Sequence, residues 1–216
     1  MLIGGFVKGE VTLIYGAAAT GKTTTVIQSA VSAARLGFKV IYIDSDHSFT
    51  QQRFQQIART DATAASELIL LFLPETFTEQ RKIIESLESY LTRAFGLLVI
   101  DSVSSLYRAS FSKTKNVFTL NRDLSRQLAY LSELSYTSKL ACLITSQVHA
   151  RLTSPIAFIE PVARRSLFHF PQTILRLSST PSHDVKEFRL ERLNGSDARG
   201  IRLLALRETG LEDPSV

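Results

Sequence analysis

Between an apolar, β-branched run and a helix-forming segment lies Gly16-Ala17-Ala18-Ala19-Thr20-Gly21-Lys22-Thr23, and few folds can accommodate it. Val11-Thr12-Leu13-Ile14-Tyr15 before it reads as a buried strand, and Thr24 to Leu36 after it as a helix. The spacing G-x-x-x-x-G-K-T in a strand–loop–helix context is that of a phosphate-binding loop. Small residues and two glycines let successive N–H groups point into one concavity that binds oxyanions. The helix N-terminus behind them adds partial positive charge. Gly16, Ala17, Ala18, Ala19, Thr20, Gly21, Lys22, Thr23 and Thr24 are therefore the expected nucleotide contacts. Lys22 should reach the outer phosphates, and the Thr23 hydroxyl should sit on Mg2+. The motif predicts a chain that binds a nucleoside triphosphate.

Beyond the loop the sequence alternates. Lys39 to Asp44 is a second strand ending in carboxylates, Leu68 to Leu73 a third stopped by Pro74, and Gly96 to Asp101 a fourth. Leu140 to Ile144, ending in Thr145-Ser146-Gln147, is the fifth. Between them Gln51–Thr60, Ala62–Glu67 with Asp61 as its N-cap, Thr78–Ala94 and Leu120–Ser135 carry helical patterns. Strands separated by helices argue for a mainly parallel sheet covered on both faces. Past Pro161 the rhythm changes to Gln172–Leu177, Val185–Arg192 and Gly200–Arg207, read as antiparallel strands closing one side.

Composition sets limits on function. The 216 residues fit one domain, and 44% hydrophobic with 21% charged residues describe a globular chain. Its apolar runs are strand-sized, too short to span a bilayer, and the N-terminus shows no secretion signal. One cysteine, Cys142, excludes an internal disulfide or a cysteine metal cluster and suits a reducing cytoplasm. The net charge of +5 resides between Arg151 and Arg207, where ten Lys/Arg face five Asp/Glu. That surplus is compatible with a polyanionic partner and equally with solvated surface arginines.

Ligands of such sheets bind at the carboxyl ends of the strands. Asp101, after four apolar residues, fits an acid that holds Mg2+ directly or through water. Asp46 either activates the attacking water or serves as a turn or cap residue. Gln147 either senses the terminal phosphate or is an ordinary polar strand end.

Together these segments carry a resemblance. Ile41-Tyr42-Ile43-Asp44-Ser45-Asp46, Phe49, Arg53, Leu98 to Ala109, Leu120 to Leu128 and Ile144 to Val148 resemble the RecA-type recombinase core. Within that superfamily the chain is most similar to the RadB branch, short archaeal relatives of the recombinase RadA. Pro74 to Arg81 and the ending Arg207 to Asp213 fit that branch. The resemblance implies an α/β, RecA-like P-loop NTPase core over residues 1–216, with no preceding DNA-binding domain. It implies ATP and Mg2+ as ligands, catalytic roles for Lys22, Asp46 and Gln147, and Thr23 with Asp101 at the metal. Arg53 falls where related recombinases stack an arginine on adenine; otherwise it is an exposed helix charge. The loop from Val148 to Arg165 corresponds to a DNA-facing loop, and the strands around Arg176, Lys186, Arg189 and Arg192 to a DNA-contacting hairpin. Arg164, Arg165, Arg189 and Arg192 are the expected DNA contacts. Further partners would be a RadA-like recombinase or other recombination proteins, or a second copy of the chain.

Two departures matter. Asp46 stands where the family usually has glutamate; a carboxylate displaced by about 1 Å can cost roughly 10²-fold in rate. The basic run expected after Arg192 is broken by Leu193 and Asn194. The expectation is an ATP-binding recombinase paralogue that assists homologous recombination and repair, with weak hydrolysis and non-specific, salt-sensitive DNA binding. The alternative is a KaiC-like or hexameric-helicase-like P-loop ATPase.

Overall fold

The structure, a computed structural model, describes residues 5–111, 116–151, 158–161 and 164–214, and for 149–151, 158–161 and 164 the backbone alone. Strand β1 (Val11–Gly16) is buried at every residue. It lies between β5 (Ala141–Arg151) and β7 (Thr173–Ser179), both parallel to it. Beyond β5 follow β4 (Phe95–Asp101), β2 (Lys39–Asp44) and the edge strand β3 (Ile69–Phe72), all parallel. On the other side β8 (Val185–Leu193), β9 (Ser196–Arg207) and β10 (Gly210–Glu212) continue the sheet antiparallel, giving the order β10-β9-β8-β7-β1-β5-β4-β2-β3. The short strand β6 (Phe158–Pro161) pairs with the far end of β5.

Alternation along β1 sorts the core into two layers. Val11, Leu13 and Tyr15 share one cluster with Ile84 of α4 (Phe77–Ser86) and with Leu124, Leu128 and Leu131 of α6 (Val117–Ser138). Ile14 joins the opposite cluster, with Val26, Ile27, Ala30 and Val31 of α1 (Lys22–Arg35) and Phe54 of α2 (Gln51–Ala58). Side-chain caps start the helices where the sequence supplies them. Thr76 accepts from Glu79 N, and Asn116 from Thr119 N.

The architecture expected from the sequence is present, with local corrections. Asp61 does not cap α3 (Ala62–Glu67); its carboxylate pairs with Arg35 Nε at 2.8 Å. The helix expected to reach Ala94 ends at Ser86 with a short 3-10 turn at Leu87–Ser89. Two short helices, α5 (Ser105–Phe111) and α7 (Arg164–His169), were not legible, being too brief to show a period. The first of the three C-terminal strands, β7, runs parallel to β1, because the chain returns through α7 before entering it. From β7 through β8 and β9 to β10 each strand is antiparallel to the next, as expected. The stretch expected as a loop from Val148 to Arg165 is partly a β5–β6 pairing, Val148 opposite Pro161 through Arg151 opposite Phe158. Residues 152–157 and 162–163 of it lie outside the described residues.

Leu128 is fully buried where α6 meets the sheet. Leu128→Ala is expected to cost about 2–5 kcal/mol by removing contacts and leaving a cavity. Phe118→Ser, on the same helix at 77% exposure, should stay within roughly 0.5 kcal/mol of the parent. Urea unfolding of both variants checks the pair.

Candidate functional site

Parallel pairing brings the strand ends expected to carry chemistry to one edge. Gly16 stands opposite Gln147, and Asp44 opposite Asp101. Gly16 is required by close approach: a Cβ there would lie 2.3 Å from the Leu177 carbonyl oxygen of β7. The loop that follows folds over its own carbonyls. Thr20 Oγ1 and Lys22 Nζ both donate to Ala17 O, at 2.9 and 2.7 Å. Gly21, left-handed at φ 93°, occupies the cap of α1 without any side-chain capping bond, and no acidic residue sits in the first turn. The N–H groups of that turn are therefore not claimed by a carboxylate, as an anion site requires.

Asp101 ends β4 at 1% exposure. Its carboxylate accepts from Tyr42 OH at 3.1 Å, from Ser48 Oγ at 3.4 Å and from the Thr145 hydroxyl. Burial raises its pKa, the hydroxyls of Thr145 and Thr23 pull it back down, and the Asp46 and Asp44 charges add to the rise. Lys22, 8% exposed, is shifted the other way. Burial lowers its pKa, Asp101 and Asp46 partly restore it, and the Arg108 cation lowers it further. Lys22, Thr23, Asp46 and Asp101 thus share one electrostatic environment.

The two remaining acids divide their work. Asp44, fully buried, accepts from Phe49 N at 2.8 Å and Ser48 N at 3.1 Å, holding the turn after β2. Asp46 is half-buried, and among the described residues its carboxylate has no hydrogen-bond partner. The turn role considered for Asp46 belongs to Asp44. Gln147 is reached by a residue the sequence reading passed over: Arg108 Nη2 of α5 donates to Gln147 Oε1 at 3.1 Å. Tyr42 and Ser48 were missed as well. Ser48 lies four residues past Asp44, but Tyr42 carried no signal of its own beyond strand propensity.

Arg53 is not an ordinary exposed helix charge. Its guanidinium donates to Thr24 Oγ1 at 3.1 Å, Arg207 O at 3.0 Å and Glu208 O at 2.7 Å. It stands beside the start of α1, pinned by the β9–β10 turn. Of the four arginines expected at DNA, Arg165 is exposed and Arg164's side chain lies outside the described residues. Arg189, on β8, pairs with Glu187 at 3.0 Å. Arg192 donates to Phe168 O at 2.7 Å and Pro171 O at 3.2 Å, so its guanidinium anchors α7 to β8 and is committed to the chain's own carbonyls. Among the described residues no three His, Cys, Asp or Glu side chains cluster to hold a metal by themselves. A divalent ion fits only with a hydroxyl, one carboxylate and ligands from phosphate and water. Thr23 and Asp101, which meet through the Ser48 hydroxyl at 3.5 and 3.4 Å, match that donor set. No helix among the described residues is long and apolar enough to cross a membrane.

The raised Asp101 pKa has a stability consequence. The folded chain holds a proton there that the unfolded chain releases, so this group's contribution falls as pH rises from the ordinary aspartate range through the folded value. Asp101→Asn is therefore expected to raise the melting temperature of the nucleotide-free protein at about pH 8, the gain shrinking toward about pH 4. Thermal unfolding across that range checks it; a gain growing toward acid would contradict the assignment.

The sequence profile of the Rad51 family matches residues 1–176. The DNA repair and recombination protein RadB of Thermococcus gammatolerans is 34% identical over 218 residues, covering 100% of this chain and 95% of that protein. RadB of Thermococcus kodakarensis is 33% identical, covering 99% and 94%, and RadB of Methanococcoides burtonii 32%, covering 83% and 79%. The crystal structure of the RadB recombinase superposes with a TM-score of 0.81 at 31% identity, covering 97% of this chain and 93% of that one. These matches fall among recombination proteins and not with the KaiC-like or helicase-like alternative. The chain belongs to the Rad51 family and, within it, to the RadB group of DNA repair and recombination proteins.

Proposed function

We propose that this chain binds Mg-ATP at the edge formed by β1, β2, β4 and β5, and assists recombination without being an efficient ATPase. The observation that carries the reading is the buried Asp101 carboxylate, joined to Thr23 through the Ser48 hydroxyl (3.4 and 3.5 Å) and acting electrostatically on Lys22, at the mouth of the Gly16–Thr23 loop. Loop amides and Lys22 take the phosphates, while Thr23 and Asp101 hold the ion, which neutralises phosphate charge when bound. Arg53 lies on the base side, next to Thr24. Asp46, with no competing hydrogen bond, orients water toward the outer phosphate. Gln147 and Arg108, joined at 3.1 Å, report that phosphate to the β5–β6 segment.

The weakness of turnover follows from length. Asp46 is one methylene shorter than the glutamate usual in the resembling family, and a misplaced base loses rate steeply. Wild-type hydrolysis is expected well below about 1 s⁻¹. Asp46→Glu should raise it in the presence of DNA and a RadA-like partner, and Asp46→Asn should lower it. Phosphate-release kinetics decide; a wild-type rate of good ATPases would overturn the attenuated site.

Non-specific DNA binding is supported by the charge surplus between Arg151 and Arg207 and by the exposure of Arg165 and Arg189. Charge on phosphates makes such binding salt-dependent and sequence-independent. Reversing Arg165 and Arg189 together to Glu should weaken DNA binding, shallow the log–log salt slope by about 2, and leave ATP affinity intact. Anisotropy titrations at several salt concentrations test this. Unchanged affinity and slope would leave a protein partner as the only route into recombination.

A further inference from the structure

The β9–β10 turn is fastened to the candidate nucleotide site at three points, and one of them is a glutamine with no role so far. Gln28, on α1, accepts from Leu211 N through Oε1 at 2.7 Å and donates to Leu211 O through Nε2 at 3.1 Å. Its side-chain amide thereby does for β10 what a neighbouring strand would do, pairing both backbone groups of one residue. The fit is close: a Cβ on Gly210, at φ 118°, would stand 2.7 Å from Gln28 Oε1. Leu206 and Leu211 pack toward the phosphate loop, 3.6 and 3.8 Å from where a Cβ on Gly21 would be. The carbonyls of Arg207 and Glu208, in the turn so held, are those that grip Arg53.

We infer that Gln28 is a positioning residue for the base side of the nucleotide site: by clamping Leu211 it seats the β9–β10 turn, whose carbonyls hold Arg53 beside Thr24. This rests on the reading that the base lies on Arg53. An arginine side chain has many rotamers, and a base can use its face only when its edge is held. Here the edge is held by the carbonyls of Arg207, the last residue of β9, and of Glu208 in the turn, 154–155 residues away in sequence, and that turn leads into β10, a three-residue strand at the sheet border that pairs, among the described residues, with β9 alone. Three residues of pairing on one side hold a border strand loosely. The Gln28 clamp supplies the second side.

Binding of two probes to the full chain, ATP and inorganic tripolyphosphate, tests the role by calorimetry. Gln28→Leu keeps the helix and the approximate volume but removes both hydrogen bonds. It should weaken ATP by about fivefold, the size of one or two lost hydrogen bonds, while tripolyphosphate, which has no base, changes less than about twofold. Arg53→Ala should give the same selective loss, and the double variant no more than either single one, because both act on one contact. Gly210→Ala, which crowds the clamp from the other side, should reproduce the pattern if Gln28→Leu proves too unstable to titrate. Equal weakening of both probes, or additive losses in the double variant, overturns the positioning role. So does an Arg53→Ala loss with none in Gln28→Leu, and that result leaves the nucleotide reading standing. An Arg53→Ala variant that binds ATP as the parent does overturns both.

Discussion

Backbone pairing of β1 with β5 and β7 is the constraint on which the rest depends. Because β1 is hydrogen-bonded on both sides and buried on both faces, its end has no freedom of position. Gly16 stops against the Leu177 carbonyl with no room for a Cβ. The loop after it must therefore leave the sheet at one place and angle, and α1 must start there. Asp44, Asp101 and Gln147 inherit their positions from the same ladder, by register with β1 through β5 and β4. Asp44 and Asp101 thus sit on rigid strand ends and not on adaptable loops, which is what charged groups in a dry site need.

That dryness creates a tension. Asp101 and Lys22 are both more than nine-tenths buried, and burial pushes each toward its neutral form. Hydroxyls from Tyr42, Ser48, Thr145 and Thr23 soften the cost for the carboxylate. None of them can pair the charge as a cation would. The fold thus retains an acid that its own stability disfavours, as sites meant for phosphate and metal commonly do. Asp46 differs in kind: half-buried and without a hydrogen-bond partner among the described residues, it is the one acid here left free to act on a ligand.

Arginine shows how tertiary context reassigns a residue type. Arg53, Arg108 and Arg192 each point their donors inward, to Thr24 and the Arg207 and Glu208 carbonyls, to Gln147, and to the Phe168 and Pro171 carbonyls. They join segments far apart in the chain and act as fasteners. Arg165 and Arg189, from the same basic third of the sequence as Arg192, face outward and keep the polyanion-binding reading. A charge count over Arg151 to Arg207 cannot tell Arg192 from Arg165 and Arg189, because it carries no information on which carbonyls lie nearby.

The sequence by itself determined the elements whose signal is local. The strand–loop–helix at Gly16–Thr23 follows from glycine spacing and from apolar runs. The helices α1 and α6 follow from their periodicity, and the strand-end positions of Asp44 and Asp101 from where those runs stop, whereas β5 runs on past Gln147 to Arg151. Short or direction-dependent features were decided by tertiary structure alone. The helices α5 and α7 are too brief to display a period, and β7 reads as a strand in either direction, since alternation is the same forwards and backwards. The site followed the same division. Lys22, Thr23 and Asp101 sit in motifs whose chemistry needs fixed spacing along the chain. Tyr42, Arg108, Gln28 and the grip of the β9–β10 turn on Arg53 are pairings across as many as 183 positions. Contacts of that span leave no periodic trace, because nothing links their sequence positions until the sheet has brought the strands together.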